Sequence, residues 1–500
     1  MAGIFYASEI SAMGVLSDKR LAASTAGAGA DDLAPLFVDL DGTLLLTDTL
    51  AEMAVQFVRT HPWKAPLLLF WLMRGRAYLK NRLAEYWTPD PATLPINEDL
   101  LGFLENERSN GRTLVLATAS PERVARSIAD HLGIFNGVLA TSEGVNLKGS
   151  RKAAAIRSLA GDKFLYAGNS STDFAVWRQS AGAVLAGAPR HFAGRLKKDS
   201  VPVLAEFPRP RRRLWRILRA HQWVKNVLIF LPIATSHRFF DAAVLTTALT
   251  AFAAFSLTAS AIYIVNDILD VEADRKHPHK RFRPFASGSV PLAWGAAAAV
   301  CLVLLSASLS LVLPANARWL LALYFAGTMA YSLKLKRMLF ADVLALATFY
   351  TMRVLFGGAA TGIQISSWTL AFFMFVFLSL AMTKRLSELR LKAAAQDTDM
   401  VPGRGYQVVD IPQVTGLAAA SSYASVVVFA LYINSPEAIA LYHHPQRLWL
   451  ICPFLIYWLS RFLLISNRGT LHHDPIVFAT RDKVSYLVAL CVAVIVLFSI

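Results

Sequence analysis

Long apolar runs dominate the chain after about residue 220, whereas the residues before that point alternate between short apolar and polar segments. Nine of the later runs approach the length that a helix needs to cross a bilayer, although the first is short and the third is rich in alanine. We therefore predict an all-α polytopic membrane bundle with nine transmembrane helices, at about 221–238, 243–266, 292–313, 317–334, 340–358, 366–383, 414–433, 446–466 and 484–500.

The first part of the chain has the pattern of a soluble α/β domain. Short apolar runs at 36–40, 114–117 and 164–167 alternate with helical patterns, which predicts a parallel sheet that binds ligands at the carboxyl ends of its strands. The organisation that we expect is a disordered leader at 1–34, an α/β domain at 35–200 with a helical cap at about 49–108, a basic linker at 201–219 and the membrane domain at 220–500.

Composition and charge both point to a membrane. The 500 residues are 55% hydrophobic and carry a net charge of +16, but the cations cluster between the apolar runs rather than on a separate basic domain. Cations are most frequent in the loops after the second, fourth, sixth and eighth predicted helices, which is the pattern of cytoplasmic loops. We expect no nucleic-acid partner, a location in the inner (plasma) membrane, a cytoplasmic α/β domain and an external C-terminus.

The most informative stretch, residues 266–284, reads NDILDVEADRKHPHKRFRP. Asp267, Asp270 and Asp274 have the spacing of one helix face, with Asn266 one turn before Asp270. Carboxylates so close together repel one another, and a bound Mg²⁺ ion would relieve that repulsion. Cations that could hold phosphate oxygens follow at Arg275, Lys276, Lys280, Arg281 and Arg283. The stretch predicts a magnesium diphosphate site; a solvated helix end beside a basic loop would explain only the cations.

Polar residues at the ends of the N-terminal strands form a second group. Asp39 and Asp41 follow the first strand, Thr118 ends the second, Lys152 opens a helical pattern and Gly168-Asn169-Ser170-Ser171-Thr172-Asp173 follows the third. In type and order these motifs resemble the haloacid dehalogenase superfamily of phosphatases over residues 35–195. The resemblance implies that Asp39 is the nucleophile and Asp41 the general acid/base, that Thr118 and Lys152 hold the phosphoryl group, and that Mg²⁺ is bound by Asp39, Asp41, Asn169 and Asp173.

One position departs from that superfamily, because Asn169 stands where an aspartate ligand is usual. An amide oxygen can bind Mg²⁺ but brings less charge. A degenerate domain with a structural role is therefore the alternative. Within the cap, the apolar run 66–73 is flanked by Lys64, Arg74 and Arg76, and it fits either a helix at the membrane surface or a buried cap helix.

Polar groups inside the predicted membrane helices are costly, so they are candidates for function. The candidates in and beside these helices are Lys225, Asn226, Tyr331, Lys334, Lys336, Asp342, Arg353, Lys384 and Arg385. For Lys225 or Lys336 alone, snorkelling to lipid headgroups is the simpler interpretation. Arg353 lies deep in its helix, where a buried ion pair or a ligand contact is expected.

Residues 215–500 resemble the UbiA superfamily of intramembrane prenyltransferases, which have nine helices and an aspartate-rich loop after the second. QWVKN at 222–226, the pattern at 266–284 and YSLKLK followed by Asp342 resemble the branch that transfers phosphoribose to a polyprenyl phosphate. A second DxxxD motif is incomplete, because Leu346 stands four residues after Asp342.

The resemblance to this branch implies a phosphoribosyl diphosphate donor, a polyprenyl phosphate acceptor and Mg²⁺ in both domains. Asp267 and Asp270 would be catalytic, with the metal held by Asn266, Asp267, Asp270 and Asp274. Substrate contacts are expected from Lys225, Asn226, Arg275, Lys280, Arg283, Tyr331, Lys334, Lys336 and Arg353. The sequence thus favours a bifunctional enzyme whose N-terminal domain removes the 5-phosphate from the lipid product. The alternatives are a prenyltransferase that uses a prenyl diphosphate, and a lipid-binding protein without enzymatic activity.

Overall fold

The computed structural model describes residues 33–141, 147–209, 214–394, 405–469 and 475–500. The expected leader lies almost entirely outside these residues, as do Arg211 to Arg213 of the expected linker. The chain divides into two compact units. The first contains Met1–Ile217 and Ile264–Ala297, and the second contains Leu218–Tyr263 and Ala298–Ile500.

The first unit is built on a six-stranded sheet in which every neighbouring pair is parallel. The strand order is β3-β2-β1-β4-β5-β6. The strands are β1 (Leu36–Val38), β2 (Leu114–Pro121), β3 (Gly137–Thr141), β4 (Leu165–Gly168), β5 (Gly182–Ala186) and β6 (Val203–Phe207). Since the order reverses beside β1, the loop that follows β1 lies where ligands bind in such sheets. The predicted parallel α/β architecture is confirmed.

Helices surround this sheet and form the segment between β1 and β2. The helices in that segment are α1 (Thr49–Thr60), α2 (Leu67–Met73), α3 (Arg76–Tyr86) and α4 (Glu98–Ser109). Those that follow are α5 (Glu122–Leu132), α6 (Ser150–Ala160), α7 (Phe174–Trp177) and α8 (His191–Lys198). One buried cluster joins one face of the sheet to the helices between β1 and β2, and a second cluster lies under Trp177 on the other face.

The sheet extends further along the chain than the sequence suggested. We expected residues 203–207 in a basic linker, but they form β6, which pairs with β5. Alternate residues of β6 are exposed, as expected for an edge strand with one solvated face. That half-polar alternation made the segment resemble a linker.

The remaining helices begin with α9 (Leu231–Thr235), α10 (Ala242–Leu269), α11 (Val271–Lys276), α12 (Leu292–Ser310), α13 (Ala315–Leu333) and α14 (Ala341–Thr361). They continue with α15 (Ser367–Ala394), α16 (Ile411–Ile433), α17 (Pro436–Leu441), α18 (Ile451–Asn467), α19 (Pro475–Ala479) and α20 (Lys483–Ser499). In the described part of the chain, six helical segments are long and apolar enough to cross a membrane. The protein is therefore an integral membrane protein, but the predicted count of nine is not confirmed.

Three predicted spans, at 221–238, 317–334 and 484–500, are not among these six segments. Residues Ala220–Phe230 form a 3₁₀ helix, and only the short α9 follows it. Lys225 and Asn226 are buried in that 3₁₀ segment. The last predicted span, α20, is apolar but has only 17 residues.

Candidate functional site

The loop after β1 brings the predicted phosphatase residues together. Asp39 follows β1 directly, and its Oδ1 accepts a hydrogen bond from Lys152 Nζ at 2.7 Å. The side chain of Lys152 is 5% exposed and that of Asp39 is 11% exposed, so this is a buried ion pair. These two residues are 113 positions apart in sequence, and the start of α6 places the lysine at the sheet edge.

Electrostatics around Asp39 favour a bound cation. Burial raises the pKa of Asp39 to about 6, and the neighbouring charges of Asp173 and Asp41 raise it as well, whereas Lys152 lowers it. A site with this excess of negative charge fits Mg²⁺, because the metal stabilises the ionised carboxylates.

The other predicted residues of this site each have defined partners. Asp41 accepts hydrogen bonds from the Thr49 backbone N–H at 2.8 Å and from the Ser120 hydroxyl at 2.6 Å. Asp173 accepts from the backbone N–H groups of Asn169 and Ser170, at 3.1 and 2.8 Å. Thr118 is fully buried, and its hydroxyl oxygen accepts from the Ser120 N–H at 3.0 Å.

Two further residues enter this site that the sequence analysis missed. Tyr166, in β4, accepts from Lys152 Nζ at 2.9 Å and donates to Asp173 at 2.9 Å, so its hydroxyl joins the two. Arg209 donates to the Gly42 carbonyl at 3.0 Å. Gly42 has a φ of +77°, and a Cβ there would lie 2.3 Å from Asn169 Nδ2 and 2.5 Å from Arg209 Nη2. Glycine thus lets both side chains lie against the loop that carries Asp41.

The aspartate-rich stretch forms a second acidic site, also in the first unit. The helix α10 ends at Leu269 and α11 begins at Val271, so the three aspartates do not share one continuous helix as we predicted. Asp267 and Asp274 nevertheless converge, because Arg283 Nη1 lies 3.2 Å from Asp267 Oδ1 and 2.6 Å from Asp274 Oδ2. Asp270 is the N-cap residue of α11, between them, although its side chain makes no capping hydrogen bond to the helix.

The side-chain oxygen of Asn266 is a candidate ligand for a cation in this loop. This oxygen is buried and has no hydrogen-bond partner, which is unusual for a buried acceptor. Among the residues that the structure describes, no three His, Cys, Asp or Glu side chains are arranged to hold a metal ion together. In this loop, Arg283 contacts two of the carboxylates. A metal held by Asn266, Asp267, Asp270 and Asp274 requires that Arg283 move away.

Arg275 and Lys280, which belong to the same loop, are placed differently from Arg283. Arg275 forms a bidentate pair with Glu52 of α1, with Nη2–Oε1 at 2.6 Å and Nη1–Oε2 at 3.2 Å. We expected Arg275 to contact substrate, but in this structure its guanidinium is engaged by the carboxylate of a residue that the sequence did not single out. Lys280 lies exposed in a 3₁₀ turn.

Within the second unit, Asn226 and Arg353 meet. Arg353 Nε donates to Asn226 Oδ1 at 2.9 Å, and the other guanidinium nitrogens donate to the Tyr324 hydroxyl and the Phe349 carbonyl. Asn226 Nδ2 in turn donates to the Ser256 hydroxyl at 3.0 Å. Arg353 therefore holds Asn226 in place, which differs from the expected direct contact with substrate.

The remaining predicted residues of this unit cluster at the end of α13. Tyr331 lies in its last turn and packs edge-on against Phe349 at 5.9 Å between ring centroids. Lys334 is the C-terminal cap of α13, and Lys336 follows in a 3₁₀ turn. Asp342 at the start of α14 is fully buried and accepts from Arg385 Nε at 2.7 Å and from the Tyr406 hydroxyl at 2.9 Å.

The second unit also contains an apolar cavity of about 920 Å³. Phe372, Phe373, Phe377 and Trp458 are among its lining residues, and Lys225 adds a cation to the same wall. The ammonium group of Lys225 lies 5.9 Å from the Tyr350 ring centroid. The volume is at the upper end of the range for ligand pockets, and the lining suits a long hydrocarbon chain.

Comparison with known proteins decides the family. The profile of the UbiA prenyltransferase family matches residues 227–481. The chain belongs to the UbiA prenyltransferase family. The profile of haloacid dehalogenase-like hydrolases matches residues 36–178 of this UbiA family member, which agrees with the predicted fusion of the two domains.

Among its relatives, an uncharacterized protein y4nM of Sinorhizobium fredii is 36% identical over 465 residues, 92% of this chain and 90% of that protein. A decaprenyl-phosphate phosphoribosyltransferase of Mycobacterium tuberculosis is 33% identical over 279 residues, 55% of this chain and 90% of the relative. Among solved structures, a UbiA homolog from Archaeoglobus fulgidus bound to GPP and Mg²⁺ is similar to this chain, with a TM-score of 0.44 and 14% sequence identity. The similarity covers 56% of this chain and 98% of the Archaeoglobus chain.

Proposed function

We propose that this UbiA family member transfers 5-phosphoribose from phosphoribosyl diphosphate to a polyprenyl phosphate. The observation that carries the proposal is the aspartate-rich loop, in which the buried Asp267 and Asp274 meet Arg283 beside the unsatisfied oxygen of Asn266. A site of this kind suits a magnesium diphosphate. The relative from Mycobacterium tuberculosis, whose name gives a phosphoribosyl group and decaprenyl phosphate, supports the choice of transferred group and acceptor.

The donor would bind by exchanging one cation for another. Asp267, Asp270 and Asp274 would hold Mg²⁺, and the Arg283 guanidinium would then be available to the diphosphate oxygens. The metal supplies charge neutralisation for the departing diphosphate. The bond between ribose C1 and the diphosphate oxygen breaks, and an acceptor phosphate oxygen bonds to C1. Because that oxygen is already ionised at neutral pH, the chain needs no strong general base.

The acceptor is proposed to use the apolar cavity of the second unit. Its aromatic wall suits the polyprenyl chain, and Lys225 suits the phosphate at the end of that chain. Asn226, whose amide group is held by Arg353 and Ser256, lies next to Lys225 in the same 3₁₀ segment and is proposed to position that lysine. Tyr331, Lys334 and Lys336 are proposed as further phosphate contacts.

We further propose that the N-terminal domain hydrolyses the 5-phosphate of the lipid product. Asp39 attacks the phosphorus and forms an aspartyl-phosphate, while Asp41 gives a proton to the departing C5 oxygen. Water, activated by Asp41, then attacks the aspartyl-phosphate and releases inorganic phosphate. Lys152 and Thr118 are proposed to hold the phosphoryl oxygens. Joining both activities in one chain raises the effective concentration of the lipid product at the phosphatase.

The surface of the cap supports a lipid substrate for this domain. On α2 and the turn before it, Trp63 is 94% exposed and Met73 is 86% exposed, and Leu69 and Phe70 are also exposed. The guanidinium of Arg74 lies 4.6 Å from the Phe70 ring centroid. Aromatic and apolar side chains beside cations favour the interface of a membrane. Only Trp71 of this strip is buried in the cap.

The orientation is proposed from the loop charges, which place the phosphatase domain and residues 267–290 in the cytoplasm. A cysteine at Ser287 would then resist impermeant thiol reagents in intact cells and react after the membrane is permeabilised. Ready labelling from outside would contradict the orientation.

A transfer assay tests the reaction itself. Membranes that contain the protein are incubated with phosphoribosyl diphosphate labelled in the ribose and with a polyprenyl phosphate, and the lipid fraction is analysed. We expect label in the lipid only when both substrates and Mg²⁺ are present. A parallel incubation with prenyl diphosphate and small aromatic acceptors tests the alternative prenyltransferase. Label from that second incubation alone would overturn the proposal.

A further inference from the structure

One buried ion pair joins the cap of the phosphatase-like domain to the aspartate-rich loop. Glu52 lies in the first turn of α1, and Arg275 lies in α11 immediately after Asp274. Their side chains are only 2% and 7% exposed, and both guanidinium nitrogens contact the carboxylate, at 2.6 and 3.2 Å. Both residues belong to the first unit. The bidentate geometry fixes direction as well as distance.

The surroundings of this pair satisfy its other polar atoms. The Thr47 hydroxyl donates to Glu52 Oε1 at 2.6 Å, and Arg275 Nε donates to the Ala286 carbonyl at 3.1 Å. Nearby, the backbone of Gly288 comes so close to Leu46 that a Cβ on the glycine would lie 2.6 Å from Leu46 Cβ. The contact is therefore closely packed, and loss of either charge would leave the other buried without compensation.

Two more exposed ion pairs lie at the edge of the same contact. Arg59 Nη1 is 3.5 Å from Glu272 Oε2, and Lys276 Nζ is 3.7 Å from Asp90 Oδ2. Pairs of this exposure contribute little because solvent screens them. The Arg59–Glu272 pair is a matched control for the buried pair, since it also connects α1 with α11.

The buried pair is close in sequence to the candidate chemistry on both sides. Thr49, three residues before Glu52 in α1, donates its backbone N–H to Asp41 at 2.8 Å. Its hydroxyl lies 2.7 Å from that of Ser120, which donates to the other oxygen of Asp41. On the loop side, Asp274 precedes Arg275 and accepts from Arg283. Because α1 is a rigid helix, a displacement of Arg275 would reach the donor that holds Asp41.

We propose that Glu52 and Arg275 are positioning residues that dock the aspartate-rich loop onto the first cap helix, so that ligand binding in the loop is transmitted to the phosphatase-like site. Neither residue needs to touch a reacting atom for this role. Asp41 is oriented through Thr49, and Asp274 is oriented through the backbone of α11. The pair thus gives the aspartate-rich loop and the phosphatase-like site a physical reason to respond to each other.

Hydrogen exchange on the full chain in lipid nanodiscs tests the docking without any ligand. We expect Glu52→Gln to raise exchange about tenfold in the loop 271–288, and Arg275→Gln to do the same in 44–55, since each segment loses its partner. The control Arg59→Gln should leave both segments as protected as in the wild type. If each single variant changes exchange only around its own position, the docking role is wrong.

The double variant Glu52→Gln/Arg275→Gln keeps the test decisive if a single variant fails to fold, because it leaves no uncompensated charge. Faster exchange in both segments of the double variant supports docking by the ion pair. Wild-type protection in both segments overturns it.

Transmission is tested with two simple probes and rests on the proposed donor and phosphoryl sites. Magnesium pyrophosphate probes the loop, and beryllium fluoride probes Asp39. In the wild type each probe should change the affinity of the other at least about threefold, by the same factor in both directions, and the double variant should lose the effect. If both probes bind without affecting each other, transmission is overturned although both sites stand. If pyrophosphate does not bind, the donor site and transmission fail together, and the exchange result alone decides the docking.

Discussion

The two acidic sites of the first unit hold their carboxylates in different ways. At the sheet edge, each carboxylate has its own donors: Lys152 for Asp39, the Thr49 N–H and Ser120 for Asp41, and the start of the turn after β4 for Asp173. In the aspartate-rich loop, one guanidinium serves two carboxylates, from 16 and 9 residues away.

This difference suggests how each site works. The donors at the sheet edge come from separate strands and helices, so that site is held by the whole fold and is organised before a ligand arrives. The loop site is local, and Arg283 is 30% exposed, so the same arginine can leave when a metal and a diphosphate enter. We expect the charged side chains at the sheet edge to stay in place when a ligand binds. In the aspartate-rich loop, we expect ligand binding to require that Arg283 be displaced.

The largest effect that separates the two sites is expected from Asp270→Asn. Loss of a metal ligand should lower phosphoribosyl transfer by about 10²–10³-fold, because charge stabilisation of the departing diphosphate is lost. Hydrolysis of a small phosphate monoester by the Asp39 domain should not change, which shows that the variant is folded. The matched control Glu272→Gln, in the same loop, should transfer at the wild-type rate. Transfer by Asp270→Asn at that rate would show that the metal site is misassigned.

A second comparison concerns stability. Lys152→Met removes the cation from a buried pair and should lower the free energy of unfolding by about 3–5 kcal/mol. Arg283 is 30% exposed, so solvent already screens its contacts and can reach the carboxylates that it leaves. Arg283→Gln should therefore lower the free energy of unfolding by only about 1 kcal/mol. Urea unfolding of both variants in nanodiscs measures the difference. Equal losses would mean that the loop is as preorganised as the sheet edge.

Arg209 is a further residue at the sheet edge whose role can be tested. Its guanidinium lies against Gly42, beside the site. We propose that Arg209 contacts the phosphorylated lipid. Arg209→Gln should then raise KM about tenfold for that lipid and change kcat little. The test is to measure KM and kcat of the wild type and of Arg209→Gln for the lipid and for a soluble monoester. A loss confined to kcat would instead give Arg209 a structural role in the loop.

The smallest effect is expected at the cap surface. Replacing Leu69 and Met73 by serine should lower hydrolysis of a lipid phosphate about threefold and leave a soluble monoester unaffected, because apolar area that can enter the membrane interface is removed. The control replaces the exposed Leu204 of β6 by serine. Equal loss on both substrates would argue against a membrane contact of the cap.

The sequence was most informative where the candidate site residues are positioned by the regular parallel sheet. Asp39, Asp41 and Asp173 could be predicted because parallel strands bring their carboxyl ends to one edge, and the structure places them there. Lys152 joins them from the start of α6, whereas Thr118 does not end β2, which continues to Pro121. Tyr166 and Arg209 could not be found in this way. A tyrosine inside an apolar strand has the pattern of a core residue, and one arginine among six in a basic segment carries no positional signal.

Prediction was weaker where tertiary contacts override local pattern. The apolar run at 221–238 has the composition of a membrane helix, but the structure forms a 3₁₀ segment that buries Lys225 and Asn226. Glu52 has the pattern of a solvent-facing helix residue, and only the fold shows that it contacts Arg275. Side chains whose partners lie more than two hundred residues away leave no trace in local periodicity.

In the proposed function, the two domains act in sequence on one lipid. The most direct measurement is the ratio of ribosyl lipid to phosphoribosyl lipid formed by purified wild type, Asp39→Asn and Asp270→Asn from labelled phosphoribosyl diphosphate and polyprenyl phosphate. We predict mostly ribosyl lipid from the wild type, accumulation of phosphoribosyl lipid with Asp39→Asn, and neither lipid with Asp270→Asn. The same ratio from wild type and Asp39→Asn would contradict the claim.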